Sequence, residues 1–378
     1  MDKAMNDLLV NDFMYTVKSQ DSQKLYMKYF DYFYQFSNKT PSELLSMNVK
    51  DIETLTIEYV KDMRDNKLSS SSIKGRISPI LTFLQLNDVV VNKKKIVRYF
   101  GEEKKTVKDL AYTNGDIQKM LARSKLRTKV MILIYASTGI RKSAILDLKL
   151  KHLKKIPEFN LYKFTIYENS NDEYYNFCTP ECASMIDQYI EHRRQAGEKI
   201  TEESYFVRND FDWTKNTAKN PKKLDDKSIS ATFRKMLIVS GLREDNEPRF
   251  KRHEKAMFHA FRKFFDTTLI NANVNQMVKE LLMGHSVGLD NSYYRPNEQT
   301  MLVEYSKAIN DLTIDDAYKW KEKYEQNKID NEVLQKHDKE MASLRQEMDL
   351  KLNKVIAAIQ RNPKLSKIKP EVLKRKIK

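Results

Sequence analysis

The chain reads as a mainly α (α+β) protein: two helical domains, the second with a small antiparallel β-sheet, followed by a coiled-coil-like extension. Three observations predict this. Apolar residues recur at helical spacing through most of the first 312 positions, as Tyr26, Phe30 and Phe33 do within SQKLYMKYFDYFYQF. The best strand signal is one pair of aromatic, β-branched stretches, LYKFTIY and YYNFC, joined by the polar turn ENSND, which together mark a hairpin. Beyond Leu312 the residues become charged with sparse apolars, and Leu334, Met341, Met348 and Val355 recur every seven.

The first domain spans residues 1–92. After the amphipathic helix Ser22–Phe36, TPSELL supplies Thr40 as N-cap, Pro41 at the first helical position and Glu43 to close a capping box. LTIEYVKDM and IKGRISPILTFLQL then complete a domain of about four helices. The lysine-rich run VNKKKIVRYFGEEKKTVKD is weakly periodic, so residues 93–106 read as a linker. The second domain, 107–312, holds helices around DIQKMLARS and RTKVMILIYAST, then the hairpin. PECASMIDQYIEHRRQ, SISATFRKMLIVSG, HAFRKFFDTTLINA, NQMVKELLMGH and EQTMLVEYSKAIN supply its remaining helices. Residues 313–378 are the extension, and its last part, Arg361–Lys378, carries eight basic residues against one Glu. That tail reads as a flexible DNA-contacting segment.

Composition narrows the function. With 68 Lys plus Arg against 52 Asp plus Glu, the net charge is +16, which favours a polyanionic partner, nucleic acid first. Only eight glycines occur in 378 residues, and neither G-x-x-x-x-G-K-[ST] nor G-x-G-x-x-G is present. A P-loop NTPase and a Rossmann dehydrogenase are therefore disfavoured. The longest apolar run, Val130–Ala136, is too short to span a bilayer, so no membrane partner is expected. The N-terminus lacks the long apolar stretch of a signal peptide, which points to the cytoplasm. Cys178 and Cys182 have no second pair at ligand spacing and are assigned to packing rather than zinc.

The chemistry concentrates in a few residues. His259 and Arg262 stand at i and i+3 on one helix and share a face. Gly284-His285 lies downstream with Tyr294 nine residues further, and upstream TGIRKSAILDL sets Arg141 just after a glycine. Two arginines, two histidines and a tyrosine are what metal-free phosphoryl transfer to a side chain needs. Guanidinium forks hold non-bridging oxygens, imidazoles donate hydrogen bonds or move a proton, and the phenol becomes nucleophilic where cations stabilise its phenolate.

At these residues the chain resembles the tyrosine recombinase, or phage-integrase, family. The matching motifs are Thr138-Gly139-Ile140-Arg141, His259-Ala260-Phe261-Arg262, Met283-Gly284-His285 and Tyr294, in the family's order, over roughly residues 10–312. LMGHSVGLDNSYYRP looks most like archaeal members. The resemblance implies that residues 1–92 are a core-binding domain on DNA and 107–312 the catalytic domain. It implies a site-specific recombinase that cuts and rejoins double-stranded DNA through a 3′-phosphotyrosyl link, without metal, ATP or any other cofactor. It also implies a homotetramer on two DNA sites. Two departures stand out: Ala144 replaces the family's usual acid three residues after the first arginine, and the hairpin turn Glu168–Asp172 has no lysine. Lys163, on the preceding strand, is the nearest candidate for the catalytic lysine. Tyr293 adjoins Tyr294, and spacing from His285 favours Tyr294 as nucleophile. A type IB-like topoisomerase and a non-catalytic DNA-binding or architectural protein on the same fold are the alternatives.

Overall fold

The computed structural model describes residues 8–102, 108–211, 217–245, 252–287, 296–319, 339, 341–351, 353–354 and 357. The chain divides into two compact units, Met1–Lys108 and Asp109–Lys378.

The first unit is helical: α1 (Leu8–Tyr15), α2 (Gln20–Ser37), α3 (Pro41–Ser46), α4 (Val49–Asp65), α5 (Ser70–Leu86) and α6 (Lys93–Val97). Thr40 closes the expected capping box with Glu43 at the head of α3. The aromatic repeat of α2 turns inward, where Phe30 meets Phe13 and Phe83 edge-on at 5.7 and 5.3 Å between ring centroids. α1 was not anticipated as a separate helix; its eight residues bury Val10, Phe13 and Met14. The stretch read as a linker from residue 93 is folded onto this unit. Ile96 is fully buried, Phe100 is buried beside it, and Glu53 on α4 accepts from the Asn92 backbone N–H at 2.8 Å and pairs with Lys95 at 2.8 Å. Its apolar residues are spaced thinly among lysines whose charged ends reach solvent, and this masks the face they form.

In the second unit α7 (Asn114–Ala122), α8 (Leu126–Thr138) and α9 (Ala144–Asp147) precede a sheet of β1 (Leu153–Ile156), β2 (Leu161–Ile166) and β3 (Tyr174–Phe177). Then come α10 (Pro180–Gln195), α11 (Asp226–Val239), α12 (His259–Asn271), α13 (Gln276–Leu282), α14 (Glu298–Ser306) and α15 (Ile309–Leu312). The sheet is antiparallel in the order β1-β2-β3, with Phe164 opposite Leu153 on one side and Asn176 on the other. The β2–β3 hairpin is the expected one. β1 is additional, a strand whose lysine pair, Lys154 and Lys155, is exposed and hides its alternation.

α8 is buried from Val130 to Ala136, packed between α10 and α12. A helix buried on all sides must be apolar on all sides, which explains the chain's longest apolar run. Cys178 and Cys182 are buried free thiols in this core. Arg193 and Arg208, both fully buried, converge on Glu198 at 2.5 and 2.9 Å. The unit continues past residue 312. Ile314 is fully buried, and Glu181 at the head of α10 accepts from its backbone N–H at 2.7 Å. Beyond it, the helix over 341–351 exposes Met341, Leu344 and Met348, while Leu334, Val355 and the basic tail lie outside the described residues. No described helix is long and apolar enough to cross a membrane.

Candidate active site

Two left-handed glycines set up the site. α8 ends at Gly139 with φ +57°, and a Cβ there would stand 2.5 Å from the Phe265 ring. α13 leads to Gly284 with φ +63°, where a Cβ would stand 2.5 Å from the Tyr174 ring. Neither position admits a side chain, by conformation or by space. These turns reverse the chain at the ends of α8 and α13 and deliver Arg141 and His285 to one place.

Arg262, one turn into α12 and only 7% exposed, joins the two ends. Its Nη1 donates to the Gly139 carbonyl at 2.7 Å, and its Nη2 donates to the Met283 carbonyl at 2.5 Å and meets His285 Nε2 at 2.7 Å. Arg141 is exposed and donates through Nη2 to the Gly284 carbonyl at 3.3 Å. Ala144, at the position where the family usually carries an acid, is buried, so a backbone carbonyl rather than a carboxylate supports Arg141. Among the described residues no carboxylate pairs with either guanidinium. Burial, and then the charge of Arg141, hold the Arg262 guanidinium below its ordinary value. Two cations held this close without an acid form a receptor for an anion.

Three supporting residues were not foreseen. Asn176 on β3 is fully buried, and its Nδ2 donates to the Thr138 carbonyl at 2.6 Å and the Leu282 carbonyl at 2.7 Å. Tyr174, two residues earlier on the same face, lies against Gly284; burial pushes its phenol up to about 12, with Arg262 and Arg141 pulling the other way. Glu280 meets His285 Nδ1 at 2.5 Å through Oε2. An acid five residues before His285, across a helix-ending glycine, is the signal that reveals Glu280. No comparable sequence signal marks Asn176.

Of the residues expected from sequence, Arg141, Arg262 and His285 are brought together. His259 opens α12 and is exposed, one turn from Arg262. Lys163, expected as the catalytic lysine from its position near the hairpin turn, is not gathered with them. Cross-strand partners share a face, and Tyr174 and Asn176 pair with Ile166 and Phe164, whereas Lys163 pairs with Phe177. The lysine therefore lies on the opposite side of the sheet, 2.6 Å from Glu298 of α14 and 4.7 Å over the Tyr175 ring. Tyr293 and Tyr294 lie outside the described residues.

Residues 110–300 match the Phage integrase family. Among solved structures, the chain is similar to the Tn1549 transposon integrase in complex with transposon right end DNA (TM-score 0.54, 16% identity, 81% of this chain and 99% of that one). The same integrase with circular intermediate DNA gives a TM-score of 0.51 at 16% identity over 79% of this chain and 97% of that one. XerH site-specific recombinase bound to a palindromic difH substrate is a looser likeness, with TM-score 0.47, 15% identity and coverage of 71% and 73%. At these identities the Tn1549 likeness is one of fold. No curated protein sequence matches the chain.

Proposed function

The chain belongs to the phage integrase family, and from that premise we infer that it is a site-specific recombinase that cuts and rejoins double-stranded DNA through Tyr294. The observation that carries this reading is the Arg141–Arg262–His285 cluster, in which, among the described residues, neither guanidinium is paired with a carboxylate. In the reaction the two guanidiniums hold the non-bridging oxygens of one phosphodiester and stabilise the charge that builds on them in the pentacoordinate transition state. The Tyr294 phenolate oxygen forms a bond to phosphorus as the bond to the 5′-oxygen breaks. A 3′-phosphotyrosyl link remains, and the 5′-oxygen leaves with a proton as a hydroxyl. A 5′-hydroxyl from another strand then attacks the phosphotyrosine, loses its proton and restores the phenol. The link conserves the phosphodiester's bond energy, so neither ATP nor metal is required by the chemistry.

His285 hydrogen-bonds the phosphate from the side of Arg262, and His259, exposed at the head of α12, contributes a second imidazole. The net charge of +16 supports binding to duplex DNA, with residues 1–92 as core-binding domain and assembly as a tetramer on two sites. LMGHSVGLDNSYYRP supports kinship with archaeal members, whose DNA lies in the cytoplasm, so we place the enzyme there.

A nicked suicide substrate tests the reading, because loss of the short 5′-hydroxyl strand traps the covalent intermediate. We expect an adduct that forms in EDTA and whose peptide maps to Tyr294, with none from Tyr294→Phe at undiminished DNA affinity. Sequence-specific binding without adduct would make the chain an architectural DNA-binding protein. Mapping to Tyr293 would move the nucleophile by one residue.

A further inference from the structure

We propose that Glu280 is the positioning residue for His285, holding its imidazole as the Nδ1–H tautomer with Nε2 turned toward Arg262. The proposal deepens the recombinase reading and rests on it for the role of His285.

The sequence Glu280-Leu281-Leu282-Met283-Gly284-His285 ends α13 in a double closure. The Gly284 N–H donates to the Leu281 carbonyl and the His285 N–H to the Glu280 carbonyl, both at 2.9 Å. This is the Schellman arrangement, which folds the residue after the glycine back over the residue five before it, a place normally filled by an apolar contact. Here the pair is an acid and an imidazole, with Glu280 Oε2 2.5 Å from His285 Nδ1.

The tautomer follows from the other ring nitrogen. His285 Nε2 is 2.7 Å from Arg262 Nη2, and a guanidinium has only donors, so Nε2 accepts. In the neutral ring the hydrogen must then sit on Nδ1, where it is donated to Glu280. The carboxylate is fit for this. Burial pushes its pKa up, but Lys279 and His285 outweigh burial and hold it below the ordinary range. Its second oxygen accepts from Lys279 at 2.9 Å and from Gln276 at 3.0 Å, and Lys279 is itself buried and paired with Asp266 at 2.6 Å. Turning the carboxylate away from His285 would break both of those bonds. The charged groups facing the imidazole are thus Glu280 from α13, Arg262 from α12 and, through the Gly284 carbonyl, Arg141. A phosphate oxygen that displaces Arg262 from Nε2 can accept a hydrogen bond there only when the ring takes up a proton from solvent, and the Nδ1–H on Glu280 leaves Nε2 as the one nitrogen open to it.

Ring-labelled histidine makes the tautomer observable by long-range 1H–15N correlation in the full chain, with His285 assigned by loss of its signals in His285→Gln. We expect Nδ1–H in the wild type, a shift toward Nε2–H in Glu280→Ala, and retention of Nδ1–H in Glu280→Gln, whose amide oxygen can still accept. With suicide substrate at saturating DNA, Glu280→Ala should cleave at least tenfold more slowly with DNA affinity within about threefold of wild type, and Glu280→Gln should recover most of the rate. A wild-type Nε2–H tautomer overturns the proposal without using any variant. So does wild-type cleavage by Glu280→Ala. If the tautomers behave as expected while the wild type forms no adduct, the positioning of His285 stands and the recombinase reading falls.

Discussion

Asn176 and Arg262 bind consecutive carbonyls on the same two chain segments. The amide of Asn176 joins Thr138 to Leu282, and the guanidinium of Arg262 joins Gly139 to Met283. Arg141 adds a contact to Gly284, so residues 282, 283 and 284 each present a carbonyl to a side chain from elsewhere in the fold. The distance between Arg141 and His285 is thereby set by a strand residue that lies behind both.

Asn176→Leu keeps the size of the side chain but leaves two buried carbonyls without their donor, at a cost of roughly 1–3 kcal/mol for each group. The melting temperature should fall. Below that temperature, suicide-substrate cleavage should slow by far more than DNA binding weakens. Equal losses in binding and cleavage would make Asn176 a fold residue only.

Arg262→Lys should lower single-turnover cleavage by two or more orders of magnitude, the scale of about 3–4 kcal/mol for one lost transition-state donor. An ammonium cannot span Gly139, Met283 and His285 as the guanidinium fork does. Arg141→Ala should cost a similar factor with less effect on stability, since Arg141 is exposed and makes one long contact. Near-normal cleavage by Arg262→Lys would show that the fork is not used.

Lys163 is bonded to Glu298 on the far face of the sheet, so Lys163→Ala should not behave as a lost general acid. A bridging 5′-phosphorothiolate, whose thiolate leaves without a proton, separates the cases. The variant's rate relative to wild type should be the same on this substrate and on the normal one. Selective rescue by the thiolate would return the proton-donor role to Lys163.

Much of this site is legible in sequence because its chemistry is local. Arg141 and His285 each follow a glycine that must be left-handed, and His259 and Arg262 share a helical turn, so type and spacing suffice. Asn176 is not legible: its importance comes from the β2–β3 register and from two helix ends more than thirty and one hundred residues away. The same register sets Lys163 on the face opposite Asn176, since a strand residue's face is fixed by pairing rather than by nearness to a turn. In the first unit, Ile96 and Phe100 were hidden by the lysines around them for lack of any periodic run.

Glu198 ties Arg193 to Arg208 in the core, and burial raises its pKa, but its bonds to the two arginines outweigh burial and leave it depressed. A depressed carboxyl contributes stability above its unfolded pKa of about 4.3 and loses it as pH falls through the native value. Glu198→Gln leaves buried guanidinium charge unpaired and should destabilise by about 3–5 kcal/mol at neutral pH. The gap to wild type should narrow as the medium is acidified below about pH 4. Melting curves across that range check it, and a gap independent of pH would assign the loss to packing.

Deleting residues 320–378 should leave suicide-substrate cleavage largely intact while weakening assembly and flattening the salt dependence of DNA binding. Each lost phosphate contact removes roughly one unit of slope in log K against log salt. Glutamate at both Met341 and Met348, which are exposed on their helix, should reproduce the assembly defect without the salt effect. An unchanged oligomeric state and slope would make the segment a solvated appendage.

The convergence of α8 and α13 has an electrostatic consequence. Both helices point their C-terminal ends at the arginines, and the unpaired carbonyls of a last turn carry partial negative charge, the tail of the helix macrodipole. Two like charges are therefore held together by dipoles rather than by an ion. A carboxylate in that place would have stabilised the arginines equally well, but it would also repel an arriving phosphate. Among the described residues, the acid that touches this cluster, Glu280, meets the imidazole of His285 and neither guanidinium. The protein thus keeps its guanidiniums close without neutralising them, and their positive charge stays available to an arriving anion.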